Sequence, residues 1–143
     1  MPKRIGSAEW QGTLKEGKGN VKMGNAYEGP YSFSSRFEDG SGTNPEEMVA
    51  AAHAACFSMA LSAGLEKAGH PSKSVNTKAT VHLEKVDGGF AITKIELDAE
   101  ADVPGIEDGA FQEIATATKS GCPISKALSA VNITLDAKLM VTA

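Results

Sequence analysis

The stretch from Pro45 to Ala68 decides most of what this chain can fold into. Asn44 is a strong N-cap, Pro45 suits the first helical position, and Glu47 stands three residues after Asn44, the spacing of a capping box. Gly69 and Pro71 mark its end. The run predicts one helix about 36 Å long at 1.5 Å per residue. It carries no charge between Glu47 and Glu66 and is rich in alanine, at positions 50, 51, 52, 54, 55, 60 and 63. Other elements can approach such a helix from several sides, so it reads as a buried central helix.

The flanking segments are strand-like or short. Around Trp10 (7–13), over 19–24, and over 31–37, partly alternating stretches predict three short strands, with Gly29-Pro30 as the turn into the third. Val75 to Asp87 and Phe90 to Val103 form a predicted hairpin about Gly88-Gly89. Ile106 to Ser120 has helical spacing of Phe111, Ile114, Ala115 and Thr118, Cys122-Pro123 opens a short helix through Leu128, and Val131 to Val141 alternates as a closing strand. The expected order is βββαββααβ, an α+β domain over residues 1–143 with a largely antiparallel sheet.

Several function classes are disfavoured. With 143 residues, 41% of them hydrophobic, the chain fits one domain with a real core. A net charge of −4 argues against a nucleic-acid partner or an anionic membrane surface. No unbroken apolar run approaches the roughly 18 residues of a membrane span, and the start, Met1 to Gly6, lacks the apolar core of a signal peptide, so the expected compartment is the cytoplasm. Two cysteines are too few for a disulfide scaffold, and a reducing cytosol disfavours a permanent bridge.

Those cysteines are the chemistry-bearing residues. Cys56 lies inside the apolar helix, where a thiol is commonly a small buried hydrophobe. Cys122, between Gly121 and Pro123 at a helix start, sits where terminal N–H groups favour a thiolate. Two thiols in different local settings are what a peroxidatic and resolving pair requires. Cys56 is about three turns into its helix, too deep for the N-terminal dipole, so side chains must activate it. Arg36 and Glu46 are the candidates: a permanently charged guanidinium that stabilises a thiolate, and a carboxylate that holds it. Each also has an ordinary reading, Arg36 as a solvated strand-end charge and Glu46 as compensation of the helix dipole.

Glu46 and Cys56 are separated by about 15 Å along one helix axis, so a Glu46 carboxylate cannot touch its own Cys56 thiol. Antiparallel packing of two such helices about a two-fold axis would bring the Arg36 and Glu46 region of one subunit to Cys56 of the other. His53, one turn before Cys56, admits a zinc reading with Cys122, His70 or His82, or a Cys–His nucleophile reading. No CxxC, HExxH or second paired spacing supports the first, and no oxyanion or triad motif the second, which leaves His53 as a packing or interface residue and His70 and His82 as loop and strand surface positions.

Thr43-Asn44-Pro45-Glu46-Glu47, His53-Ala54-Ala55-Cys56-Phe57-Ser58-Met59-Ala60, Gly89 to Ile95, Val103-Pro104-Gly105-Ile106 and Gly121-Cys122-Pro123-Ile124-Ser125 together resemble the OsmC/Ohr family of osmotically inducible and organic-hydroperoxide-resistance proteins. The likeness runs over nearly the whole chain and is nearer the OsmC branch. It implies an intertwined homodimer with interfacial active sites, and a thiol-dependent peroxidase that reduces organic hydroperoxides, and hydrogen peroxide less well, in oxidative or osmotic stress. Position by position, it implies Cys56 as the peroxidatic thiol, Cys122 as the resolving thiol that closes an intramolecular disulfide with it, Glu46 as the carboxylate, and Arg36 as the stabilising arginine. Arg4 is the other arginine in the chain. No metal, flavin or other cofactor is implied; electrons come from an external dithiol, a lipoylated protein or a small thiol. Met48, Phe57, Met59 and Ile124 are the expected apolar walls for an alkyl peroxide. The rival from another class is a dimeric binding protein whose cysteines are merely buried.

Overall fold

A computed structural model describes residues 1–140, which fall into two compact units, Met1–Met48 and a second that starts at Val49. Each is built around its own three-stranded sheet, so the single sheet expected from the sequence is in fact two.

In the first unit, β1 (Gly6–Gln11), β2 (Lys18–Met23) and β3 (Tyr27–Tyr31) form an antiparallel meander. The third strand therefore ends where the sequence pattern suggested it would begin. Gly29 and Pro30 lie within it rather than in a turn, and proline is tolerated because β3 is an edge strand. Residues 33–37 are a short helix, α1 (Phe33–Phe37), not a strand. Ser32 decides this locally. Its Oγ accepts from the Ser35 N–H at 3.0 Å while Ser35 Oγ accepts from the Ser32 N–H at 2.8 Å, a reciprocal capping box that outweighs the two-residue alternation of aromatics. Gly19 stands between Trp10 and Tyr31, whose ring centroids are 5.4 Å apart; a Cβ there would lie 2.4 Å from Tyr31 Cε1 and 2.7 Å from Trp10 Cε3. Only glycine lets the two rings meet across the strand.

α2 (Pro45–Lys67) matches its predicted span closely. Asn44 Oδ1 accepts from the Glu47 N–H at 2.8 Å, and Asn44 Nδ2 donates to the Glu47 carboxylate at 2.9 Å. At the other end, the Gly69 N–H reaches Glu66 O at 3.0 Å and the His70 N–H reaches Leu65 O at 2.9 Å, with Gly69 at φ 88°. This is the Schellman arrangement that the glycine signalled.

The second unit pairs β4 (Ser74–Val86) with β5 (Gly89–Asp102) as the expected hairpin, and β5 with β6 (Asn132–Met140) in parallel. Among the described residues, three of the four strand pairings are thus antiparallel. Val141, expected at the end of the last strand, lies outside the described residues. Against the sheet pack α2 and α3 (Asp108–Gly121), around a core that includes Phe57, Leu61, Leu65, Ile95, Leu97 and Phe111, and the five-residue α4 (Pro123–Ala127) contacts α3. Ile95, Leu97, Ala99 and Ala101 alternate inward along β5. A bulge opposite His82 and Leu83 shifts the register, which explains why Ile92 joins Ile95 in the core despite their odd spacing.

α2 departs from expectation in one respect. It buries one stripe, His53, Phe57, Leu61 and Leu65, while Ala51, Ala52, Ala55, Met59 and Ala63 are exposed in the single chain. By length and composition it also contains an 18-residue window apolar enough to cross a membrane. The expectation rested on unbroken apolar residues, and the scattered serines and His53 hid the average. Its apolar stripe is occupied in the core of the second unit.

Candidate active site

The first unit presents a cation held in a defined pose. α1 carries Arg36 in its last turn, and Ser35 ties that turn to the segment before α2 by donating from Oγ to Thr43 O at 2.7 Å. Asn44 Nδ2 donates to Ser35 O at 2.9 Å. With both helix ends tethered, Arg36 Nε donates to Glu46 Oε1 and Nη2 to Glu46 Oε2, each at 2.9 Å. This is the two-point guanidinium–carboxylate pairing for which arginine is suited. Its members are partly solvated, at 36% and 13% side-chain exposure, so it adds little to stability and serves chiefly to fix the guanidinium. Arg36 also lies 5.3 Å from the centre of the Phe37 ring. Beside it opens a cleft of about 190 Å³ lined by Trp10, Leu14, Tyr31, Phe33 and Phe37. Arg36 thus belongs to a helical turn, not to a strand end.

The second unit brings the two thiols together. α3 ends and α4 begins at Cys122, whose N–H donates to Thr118 O at 3.1 Å and whose carbonyl accepts from the Lys126 N–H at 3.0 Å. Pro123 takes the first position of α4. This sharp junction leaves Cys122 1% exposed. Cys56 is only partly buried, and its thiol lies close enough to the Cys122 side chain and to the backbone of Ile124 for both to influence its ionisation. No disulfide joins them; both cysteines are free. Burial pushes the Cys56 thiol above its ordinary pKa, the Ile124 backbone bond opposes that rise, and Cys122 reinforces it. The thiol is therefore not self-activating within its own unit.

The four expected site residues form two pairs, Arg36 with Glu46 in the first unit and Cys56 with Cys122 in the second. Of the expected apolar walls, Phe57 is fully buried in the core and unable to line a substrate site, whereas Met59 is 77% exposed. His82 pairs with Glu96 on the sheet. Among the described residues, no three His, Cys, Asp or Glu side chains cluster as a metal site requires. Sequence reasoning missed Ser125, 3% exposed, whose N–H donates to Cys122 Sγ at 3.3 Å and whose Oγ lies 3.0 Å from that sulfur. Its position three residues after a helix-capping Cys122 was the available signal.

Comparisons with known proteins bear on the family and the fold. The family model described as OsmC-like protein matches residues 38–136. The chain is 53% identical over 136 residues to the peroxiredoxin OsmC of Escherichia coli (strain K12), covering 94% of each chain. It is 33% identical over 90 residues to an organic hydroperoxide resistance protein of Xanthomonas axonopodis pv. citri (strain 306), covering 62% of this chain and 61% of that one. In fold, it superposes with a TM-score of 0.76 on an OsmC-like protein of unknown function from Vibrio cholerae O1 biovar eltor, at 15% identity, covering 96% of this chain and 99% of the other. By its matched sequence and its α+β fold, the chain belongs to the OsmC family.

Proposed function

We propose that the protein reduces organic hydroperoxides through Cys56 and Cys122, and that its working unit is a homodimer. The coarser statement needs no dimer: a family member this similar to a named peroxiredoxin, with two adjacent free thiols, is a cysteine-based peroxidase in hydroperoxide stress. The observation that carries the finer reading is the asymmetry of the thiol pair. Cys56 is open to solvent in part and Cys122 is 1% exposed, so a peroxide meets Cys56 first and Cys122 is reached through it.

In this reading the Cys56 thiolate attacks the peroxide O–O bond, alcohol leaves, and Cys56 becomes a sulfenic acid. Cys122 then displaces water and closes a disulfide, which requires Cα atoms within about 4.4–6.8 Å of one another. An external dithiol, either a lipoylated protein or a small thiol, restores the pair. No cofactor takes part. A cation is still needed, because burial and Cys122 both oppose ionisation of Cys56. Arg36 of the partner subunit, fixed by that subunit's Glu46, would supply it. The exposed, uncharged stripe Ala52, Ala55, Met59 and Ala63 on α2 favours this packing, since small side chains let two helices approach closely. The aromatic cleft beside Arg36 would favour alkyl over inorganic peroxide. A reducing cytoplasm suits a thiol pair that must start each cycle reduced.

The test is consumption of cumene hydroperoxide and of hydrogen peroxide by the purified protein, with a dithiol or a monothiol as donor. The expected result is turnover that prefers the organic peroxide and the dithiol. Equal, slow consumption of both peroxides, no faster than the donor alone, would contradict it.

A further inference from the structure

The peroxidase scheme leaves one buried ionisable group without a role. His53 is fully buried on α2, and its Nε2 lies 2.8 Å from Ser125 Oγ. Ser125 Oγ in turn lies 3.0 Å from Cys122 Sγ, which also accepts from the Ser125 N–H at 3.3 Å. The chain His53, Ser125, Cys122 is closed to water along its length, the three residues being 0%, 3% and 1% exposed.

Its polarity follows from the far side of the imidazole. His53 Nδ1 is buried and has no hydrogen-bond partner among the described residues. An orphaned buried N–H is rarer than an orphaned acceptor, so the proton belongs on Nε2 and Nδ1 keeps its bare lone pair. Burial also lowers the His53 pKa, which keeps the ring neutral. Nε2–H then donates to Ser125 Oγ, and the serine hydroxyl is left to donate to Cys122 Sγ. Two donors from one residue, O–H and N–H, converge on that sulfur.

We infer that Ser125, oriented by His53, is a catalytic hydrogen-bond donor to Cys122 that stabilises charge on its sulfur whenever the Cys56–Cys122 bond is made or broken. This rests on the peroxidase reading above. During closure, a serine that donates to Sγ leaves the Cys122 S–H directed away from Ser125. The S–S bond forms, the Cys56 S–O bond breaks, and the Cys122 proton departs with the hydroxyl as water. During reduction, the thiolate of an external dithiol attacks Cys56 Sγ, the more accessible sulfur. The Cys56–Cys122 bond breaks, its electron pair passes to Cys122 Sγ under the two Ser125 donors, and that sulfur takes up the proton the attacking thiol released. The second thiol of the donor then displaces Cys56, leaving the donor oxidised to a disulfide. A stabilised Cys122 is the better leaving group, so attack is directed to Cys56. His53 is a positioning residue, acting only through Ser125.

The experiment separates the steps in single turnovers of the full-length protein with one equivalent of cumene hydroperoxide, on wild type, Ser125→Ala, Ser125→Thr and His53→Gln. Peroxide loss reports the first step, and trapping of sulfenic acid by a cyclic 1,3-dione against appearance of the linked Cys56–Cys122 peptide reports the second. Ser125→Ala is expected to lose peroxide within about twofold of wild type but to close the disulfide about 10- to 100-fold more slowly, the range for one lost bond to a charged group. The trapped adduct accumulates accordingly. His53→Gln should show a smaller slowing of the same step, and Ser125→Thr should restore closure. Closure in Ser125→Ala as fast as in wild type would overturn the inference, as would equal slowing of both steps in Ser125→Ala and His53→Gln, which marks a packing role. Failure of the wild type itself to form the linked peptide would instead remove the peroxidase scheme, and the donor role with it.

Discussion

Cys56→Ser is expected to lower kcat/KM for cumene hydroperoxide by about 10³-fold or more, because a serine hydroxyl in this partly buried site has no base to ionise it and attacks an O–O bond poorly. The fold should persist, since the substitution is nearly isosteric and Cys56 lies outside the buried core cluster. Cys122→Ser should behave differently. Its first turnover should proceed at near the wild-type rate, consuming one peroxide per chain, and then stall with Cys56 as sulfenic acid. Stopped-flow mixing with excess peroxide distinguishes a missing burst in the first variant from a burst without steady state in the second. If the two variants lost activity in the same phase, the assignment of peroxidatic and resolving roles would be wrong.

Arg36→Ala is expected to cost about 10²- to 10³-fold in kcat/KM, the range for removing one preorganised charge-stabilising group from a reaction centre. Arg36→Lys should recover only part, since an ammonium cannot make the two-point contact with Glu46. Where the arginine acts from is readable by complementation. In a mixture of Cys56→Ser and Arg36→Ala chains allowed to exchange subunits, a dimer of one of each contains a single intact site if Arg36 serves the partner's Cys56. Activity should then rise well above that of either variant alone. Were Arg36 to serve the thiol of its own chain, both sites of the mixed dimer would be defective and mixing would restore nothing.

How far these features could be read from residues differs from element to element. The ends of α2 were legible because they are encoded locally, by Asn44, Pro45 and Glu47 at one end and Gly69 at the other. The β4–β5 hairpin was legible from Gly88-Gly89 for the same reason. α1 was not, because Tyr31, Phe33, Ser35 and Phe37 alternate as a strand would, and the deciding interaction is the Ser32–Ser35 capping box. The parallel pairing of β5 with β6 was equally hidden, since long-range register leaves no mark in either segment. Glu46 as the partner of Arg36 followed from the chemistry each supplies, and the two-point geometry agrees with it. The pairing of Cys56 with Cys122 had no local signature at all: nothing in their spacing predicts it, and it rested on family likeness until the fold placed Cys122, at the α3–α4 junction, near enough to influence the ionisation of Cys56. Ser125 escaped because a serine after a Cys-Pro step reads as an ordinary helix residue, and only burial beside His53 gives it a purpose.

The most direct test of the central claim is to oxidise the fully reduced wild-type protein with one equivalent of cumene hydroperoxide, quench it within a single turnover, and count free thiols and map peptides by mass. The account predicts loss of both thiols in each reacted chain, with the peptide containing Cys56 joined to the peptide containing Cys122 within the same chain. Two thiols surviving while peroxide is consumed, or Cys56 joined only to Cys56 of another chain, would contradict it.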